Sequence, residues 1–207
     1  MKVLLINGSP RKNGCTYTAL SEVANELKKE NIETEIVQLG TKPIRGCIAC
    51  GKCKTLDNRC TFNDDIVNSV LEKAPECGGF IIGSPVYFAS ANGSLIAMLD
   101  RLFYAGRHFA YKPGACVVSA RRAGTTATLD QLNKYFTIRN MPVVSSQYWN
   151  MVHGNDPEEV KKDLEGLQIM RTLGKNMAWM LKCIEAGKRN GINPPPAEEP
   201  QRTNFIR

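Results

Sequence analysis

The residues best suited to chemistry in this 207-residue chain fall into two groups. The first is a run of cysteines, Cys47-x2-Cys50-x2-Cys53, followed after six further residues by Cys60. A tight C-x2-C-x2-C loop can turn three thiolates toward one [4Fe–4S] cube, and Cys60 can supply the fourth. Gly46 and Gly51 ease the sharp turns this needs. Zinc is a second reading, although structural zinc usually draws on two separated ligand pairs rather than one dense run. Free or redox-active thiols are a third, and spacing alone leaves all three open. The second group lies between Gly8 and Thr16, where two glycines, the hydroxyls of Ser9 and Thr16, and Arg11 crowd together. Hydroxyl donors and a fixed guanidinium in one short loop suit an anion such as a phosphate. The loop is neither GxGxxG nor GxxxxGKS, so a dinucleotide fingerprint and a P-loop are both unsupported.

These groups need elements to hold them. Val3-Leu4-Leu5-Ile6 is the apolar run of a strand buried on both faces. Leu20, Val23, Ala24 and Leu27 give residues 18–30 one buried helical face. The phosphate-type loop therefore ends at a helix start, where the first N–H groups lack intrahelical partners and the dipole is positive. Residues 32–39 alternate as an edge strand, and residues 40–64 form a long irregular insertion carrying the cysteines. A loop of that length in a small domain is usually functional.

Further on, Asp64 and Asp65 open a helix running to Ala74, and residues 79–83 read as a buried strand. Residues 92–104 read as a helix with Leu95, Met98, Leu99 and Leu102 inward. A strand over 114–119, a helix over 125–137 and a strand over 142–147 follow. One long helix, 157–186, is capped by Asp156 with Pro157 in its first turn. Five strands alternating with helices predict a three-layer, doubly wound α/β sandwich around a five-stranded parallel sheet. Residues 1–186 form one domain with the 40–64 insertion, and 187–207, with Pro194-Pro195-Pro196, form an extended C-terminal extension. Ligands of such sheets bind beyond the carboxyl ends of the strands. Three loops emerge there, residues 9–16, 85–88 and 119–124, and a flat phosphorylated cofactor would use all of them.

Composition narrows the classes further. No stretch approaches the eighteen or so apolar residues of a membrane span, and the chain opens directly on a strand, so a cytoplasmic, membrane-free protein is expected. Eight cysteines without an export signal argue against disulfides, and Cys77, Cys116 and Cys183 read as small core residues. The net charge of +7 favours anionic partners, but the basic residues form no stripe interleaved with aromatics, so no nucleic acid is expected. His108 and His153 are the only histidines, and neither sits in a catalytic constellation.

Gly8-Ser9-Pro10-Arg11-Lys12-Asn13-Gly14, Gly83-Ser84-Pro85-Val86-Tyr87-Phe88 and the cysteine run together resemble the flavodoxin-like NAD(P)H-dependent FMN reductase family, in particular its iron–sulfur flavoprotein branch. The resemblance implies FMN, its phosphate held by Ser9, Arg11, Asn13, the backbone of Cys15, and Thr16. It places Pro85, Val86, Tyr87 and Phe88 against the isoalloxazine ring. Ser119, Arg121, Arg122 and Gly124 would then border the pyrimidine side or the open face. The flavin would carry the chemistry, so no protein group is named as catalytic. Electrons would pass from NAD(P)H to flavin, quinone or another small acceptor. Alternatively they would pass between ferredoxin and an acceptor through FMN and a [4Fe–4S] cluster on Cys47, Cys50, Cys53 and Cys60. A homodimer or homotetramer is also implied, with Phe103, Tyr104, Tyr148 and Trp149 as exposed aromatic candidates for contact.

Overall fold

Val3, Leu4, Leu5 and Ile6 are all buried within β1 (Lys2–Asn7). Their side chains alternate between two cores, Leu4 and Ile6 on one face of the sheet and Val3 and Leu5 on the other. Ile81 in β3 (Gly79–Tyr87) and Val117 in β5 (Gly114–Ala120) repeat the pattern, opposite Ile82 and Val118. Continuous apolar runs of this kind are what a parallel sheet covered on both faces requires. The computed structural model describes residues 1–203 and Phe205.

The remaining strands are β2 (Glu33–Gln38), β4 (Ser90–Ala91) and β6 (Met151–His153). The parallel path runs β2-β1-β3-β5-β6, with β4 pairing antiparallel to the end of β3. The chain moves outward from β1 first to β2 and then, through β3, to the other side. The carboxyl ends of β1 and β3 therefore flank the crevice where the strand order reverses. Helix α1 (Cys15–Lys29) covers one face together with α5 (Pro157–Lys162) and α6 (Leu164–Arg189). The opposite face carries α2 (Val67–Lys73), α3 (Gly93–Ala105) and α4 (Thr125–Thr137). Two short 3-10 turns, Lys52–Lys54 and Ala74–Glu76, complete the regular structure.

Several expectations are corrected in detail. Residues 142–147 are not the last strand. They make a single bridge at Val143 to Gly114, and β6 forms later, pairing Met151 with Val118. The third strand runs on through Pro85, Val86 and Tyr87, because Pro85 pairs with Ser119 of β5 and Val86 pairs with Ala91 of β4. The long final helix is broken at Asp163, whose Oδ1 accepts from Gly166 N at 2.9 Å while Oδ2 accepts from His153 N at 2.7 Å. An internal residue thus becomes the cap of a second helix, and that helix continues past residue 186 to Arg189. Helix α2 starts at Val67 rather than Asp64, since Asp65 turns back to accept from Val67 N. Cys183 lies exposed on α6, unlike Cys77 and Cys116, which are buried. Phe103 is not an exposed aromatic. It packs against Phe109, Tyr135 and Phe136, with its nearest ring centroid at 4.7 Å. Among the described residues the tail from 191 has no regular structure, and Asn204, Ile206 and Arg207 of the expected extension lie outside the described residues.

Candidate functional site

Two features stand out, a crevice at the carboxyl end of the sheet and a cysteine-lined cavity against the C-terminal half of α3. The crevice begins where β1 ends. Gly8 N donates to Gly83 O at 2.8 Å, drawing the loop against β3 so closely that a Cβ on Gly8 would lie 2.5 Å from Leu95 and 2.7 Å from that carbonyl. Asn92, the N-cap of α3, donates from Nδ2 to Gly8 O at 2.6 Å and fixes the same turn from above. Wholly buried Asn7 accepts from Ser9 N at 3.2 Å and donates to Gln38 Oε1 at 2.6 Å. Gln38, the last residue of β2, in turn donates to Ser9 O at 2.6 Å. The loop is therefore braced by both neighbouring strands before any ligand arrives.

Helix α1 then starts on Gly14 with no side-chain cap and no acidic residue in its first turn. Its leading N–H groups are left free to meet an anion at the positive end of the dipole. Thr16 is buried, and its hydroxyl shares a 2.8 Å hydrogen bond with Ser119, which ties the helix start to the end of β5. The crevice gathers Ser9, Arg11, Cys15, Thr16, Pro85, Val86, Tyr87, Ser119 and Arg121 and encloses about 550 Å³, open mouth included. Loops from β1, β3 and β5 thus meet in one place. Ala120, within the expected 119–124 loop, also lines it, as do Gly154 and Asn155, which the sequence did not mark. Cys15 Sγ donates to Gly154 O at 3.6 Å, and burial raises the thiol pKa, partly offset by its own backbone N–H.

Asn13, Phe88, Arg122 and Gly124 are not among the lining residues. Phe88 is fully exposed at the β3–β4 hairpin tip, where it and Ala89 take left-handed φ values of 51° and 57°. Gly124 caps α4 at φ 92°, and a Cβ there would strike Ala89 at 2.7 Å and Val86 at 2.9 Å. Its role is to let the hairpin pack down over the crevice.

The cysteine cavity lies on the other side of α3. Cys47, Cys50, Cys53 and Cys60 all line it, with Phe62, Arg101 and Tyr104. Left-handed Ala49 (φ 52°) and Gly51 (φ 71°) fold the loop back on itself between the first three. Burial raises the Cys53 thiol pKa. Its own backbone N–H opposes this, and the neighbouring Cys50, Cys60 and Cys47 push it further up. Among the described residues no three His, Cys, Asp or Glu side chains are spaced to grip a single metal ion.

Cys60 is the most firmly held of the four. Asn68 of α2, itself buried, accepts from Cys60 N at 2.9 Å and donates to its carbonyl at 3.0 Å. Arg101 of α3 donates from Nε to Cys60 Sγ at 3.3 Å. Arg101 is 1% exposed and, among the described residues, the largest wholly buried side chain. Its guanidinium also reaches Asp65, Arg45 O at 3.1 Å and Phe62 O at 3.3 Å. Burial disfavours its charge, but the bonds to Asp65 and Cys60 outweigh this and leave its pKa raised. Arg101 and Asp65 were missed as site residues. One signal was present: Arg101 follows Leu95 and Met98 at steps of three on the buried face of a predicted helix.

The chain matches the family of NADPH-dependent FMN reductases over residues 1–156. It belongs to that family. Within it, the chain is 36% identical to an iron–sulfur flavoprotein of Methanocaldococcus jannaschii, over 89% of this chain and 100% of the relative. This places it on the iron–sulfur flavoprotein branch of these flavin-dependent oxidoreductases. Solved structures agree on the fold. RosB, crystallised with bound 8-demethyl-8-formylriboflavin-5'-phosphate, superposes with a TM-score of 0.67 at 15% identity, covering 100% of this chain and 92% of that one. An archaeal flavodoxin gives a TM-score of 0.59 at 14% identity, covering 88% and 99%. Among the described residues, no helix is long and apolar enough to cross a membrane.

Proposed function

We propose that this FMN reductase relative is an oxidoreductase that holds FMN in the crevice and a [4Fe–4S] cluster on Cys47, Cys50, Cys53 and Cys60. The reading has it pass electrons from NAD(P)H to flavin, quinone or another small acceptor. The observation that carries it is the meeting of an uncapped helix N-terminus with the loops from β3 and β5 in one crevice. The N–H groups of the first turn of α1, the Ser9 hydroxyl and Arg11 would hold the phosphate, with exposed Asn13 at the rim. Pro85 and Val86 offer the ring a half-buried wall with exposed Tyr87 beside them, and Ser119 and Arg121 face its polar edge. Bound there, FMN supplies hydride acceptance from a reduced nicotinamide and release of electrons singly or in pairs.

The cysteine cavity suits the cluster by its donor set, four thiols around an apolar pocket with a guanidinium at one sulfur. One zinc ion would draw its thiolates to about 2.3 Å from a single centre, whereas a four-iron cube takes its ligands at separate corners. Bound there, the cluster supplies one-electron relay. Anaerobically purified protein is expected to show both flavin bands and a broad iron–sulfur absorbance, with iron and sulfide in matching amounts. A colourless protein with no flavin affinity in titration would overturn the flavin site. Iron-free protein after anaerobic reconstitution would overturn the cluster.

A second reading takes electrons from an acidic carrier such as ferredoxin. It is favoured by the exposure of Cys47 and Cys50 beside Arg45, Lys52 and Lys54, a basic rim for an acidic partner. Stopped-flow reduction separates the two, since rapid bleaching by NADPH supports the first and bleaching only by reduced ferredoxin the second. A homodimer or homotetramer completes the proposal. Tyr87, Phe88, Tyr148 and Trp149 are all exposed at this end of the sheet or on its flank, and a shared interface would cover them. Light scattering showing a monomer would remove it.

A further inference from the structure

Arg101 is a charged residue with almost no contact with water, and the reaction outlined above gives it nothing to do. Its guanidinium makes four hydrogen bonds, all to one segment. They reach the carbonyls of Arg45 and Phe62, the carboxylate of Asp65 and the sulfur of Cys60, so both ends of the cysteine insertion are stitched to α3. The ring of Phe62 lies beside this guanidinium at 5.5 Å and beside that of Arg45 at 4.8 Å. Asp65 is itself 3% exposed at its side chain, so the pair is closed off from solvent and from screening salt. Of the four cysteines, Cys60 has a cationic donor aimed at its sulfur.

We infer that Arg101 is the positioning residue of the iron–sulfur centre, holding Cys60 as a ligand and raising the reduction potential of the bound cluster, with Asp65 setting how far it is raised. The inference rests on the cluster proposed above. A hydrogen bond to a ligand sulfur and a nearby positive charge both favour the more negative, reduced form of an iron–sulfur centre. The opposing carboxylate of Asp65 moderates the second effect. The guanidinium fork holds both functions in one geometry, because Nε faces the sulfur while Nη1 faces the carboxylate.

The test uses the full chain, reconstituted anaerobically with iron and sulfide, with the midpoint potential read by EPR and absorbance during equilibrium redox titration. Arg101→Gln removes the cationic donor, and at a fixed ambient potential the reduced-to-oxidised ratio is expected to fall about tenfold, which is about 59 mV for one electron. Asp65→Asn keeps the guanidinium and the acceptor at Val67 N but removes the counter-charge, so the shift is expected in the opposite direction. Arg101→Gln leaves a buried carboxylate unpaired and can fail to fold. The paired Arg101→Met/Asp65→Leu variant removes both charges and is expected to lie below the wild-type potential as well. Arg101→Lys, which keeps the charge but loses the fork, should recover part of the shift. A purely structural role would lower iron content without moving the potential in opposite directions. Variants that hold the cluster at the wild-type potential would overturn the inference and leave the cluster standing. Wild-type protein that takes up no iron would overturn both.

Discussion

At the scale of single residues, the crevice depends on close approach rather than on reactive groups. Gly8 is the clearest case, because its missing side chain lets the end of β1 lie against both Leu95 and the Gly83 carbonyl. Leu95 can shift, but the carbonyl is part of the β1–β3 ladder and cannot move without disturbing Asn7 and Gly83. Gly8→Ala is therefore expected to destabilise the fold by about 1–3 kcal/mol, as overpacking does. The same change should weaken FMN binding, because the Ser9 N–H and carbonyl positions are set by this turn. Chemical denaturation measures the first effect and flavin fluorescence titration the second. Unchanged flavin affinity in a destabilised variant would show that the turn is structural only.

At the scale of elements, helix α3 serves both sites. Its cap, Asn92, accepts from Ser94 N at 3.2 Å and donates to Gly8 O in the crevice, while Arg101 about two and a half turns later reaches into the cysteine cavity. Asn92→Ala is expected to cost about 1–2 kcal/mol from the lost cap alone. It should also weaken FMN binding, which Asn92→Asp would restore less fully because a carboxylate cannot donate to the Gly8 carbonyl. The sequence made α3 legible through the period of Leu95, Met98, Leu99 and Leu102. It made β1, β3 and β5 legible too, since strands buried on both faces leave an unbroken apolar signature. What was not legible depended on pairing at a distance. Residues 142–147 look more strand-like than Met151–His153, but only the later segment meets Val118 in register. The break at Asp163 needed knowledge that His153 N lies across from it. Gln38, Asn92 and Arg101 act across 29, 84 and 41 residues of chain, and no local pattern marks such partners. The phosphate-type loop and the cysteine run were legible because their spacing is local.

At the scale of the molecule, charge contributes to holding the sheet edge. Glu35 of β2 sits between Lys2 of β1, at 2.8 Å, and Lys73 of α2. Hydrogen bonds from Lys2 and then Lys73 hold its carboxyl below the ordinary value of 4.5. The folded state therefore binds fewer protons than the unfolded state just below that pH, and stability rises with pH through the window. The contribution is complete above 4.5 and is lost as pH falls through the lower, folded value. Glu35→Gln is expected to lower stability by about 1 kcal/mol at neutral pH. The gap between variant and wild type should close in acid, which urea titrations at a series of pH values would show. A gap that stays constant below pH 4 would mean that packing, not the ion pairs, carries the effect.

Gln38 is the last residue of β2, and the cysteine insertion departs two positions later, at Gly40. The residue whose side chain braces the Ser9 loop thus also closes the strand that leads into the insertion. Any coupling between the proposed flavin and cluster sites is expected to run through this short stretch of chain. By reciprocity, such a coupling tightens flavin binding on ordering of the insertion by the same factor that flavin tightens the insertion. Flavin affinity is expected to be higher in iron-loaded than in iron-free protein, and Gln38→Ala should erase the difference while leaving both sites able to bind. The edge strand, in that view, is the linkage through which the molecule registers whether it is fully assembled.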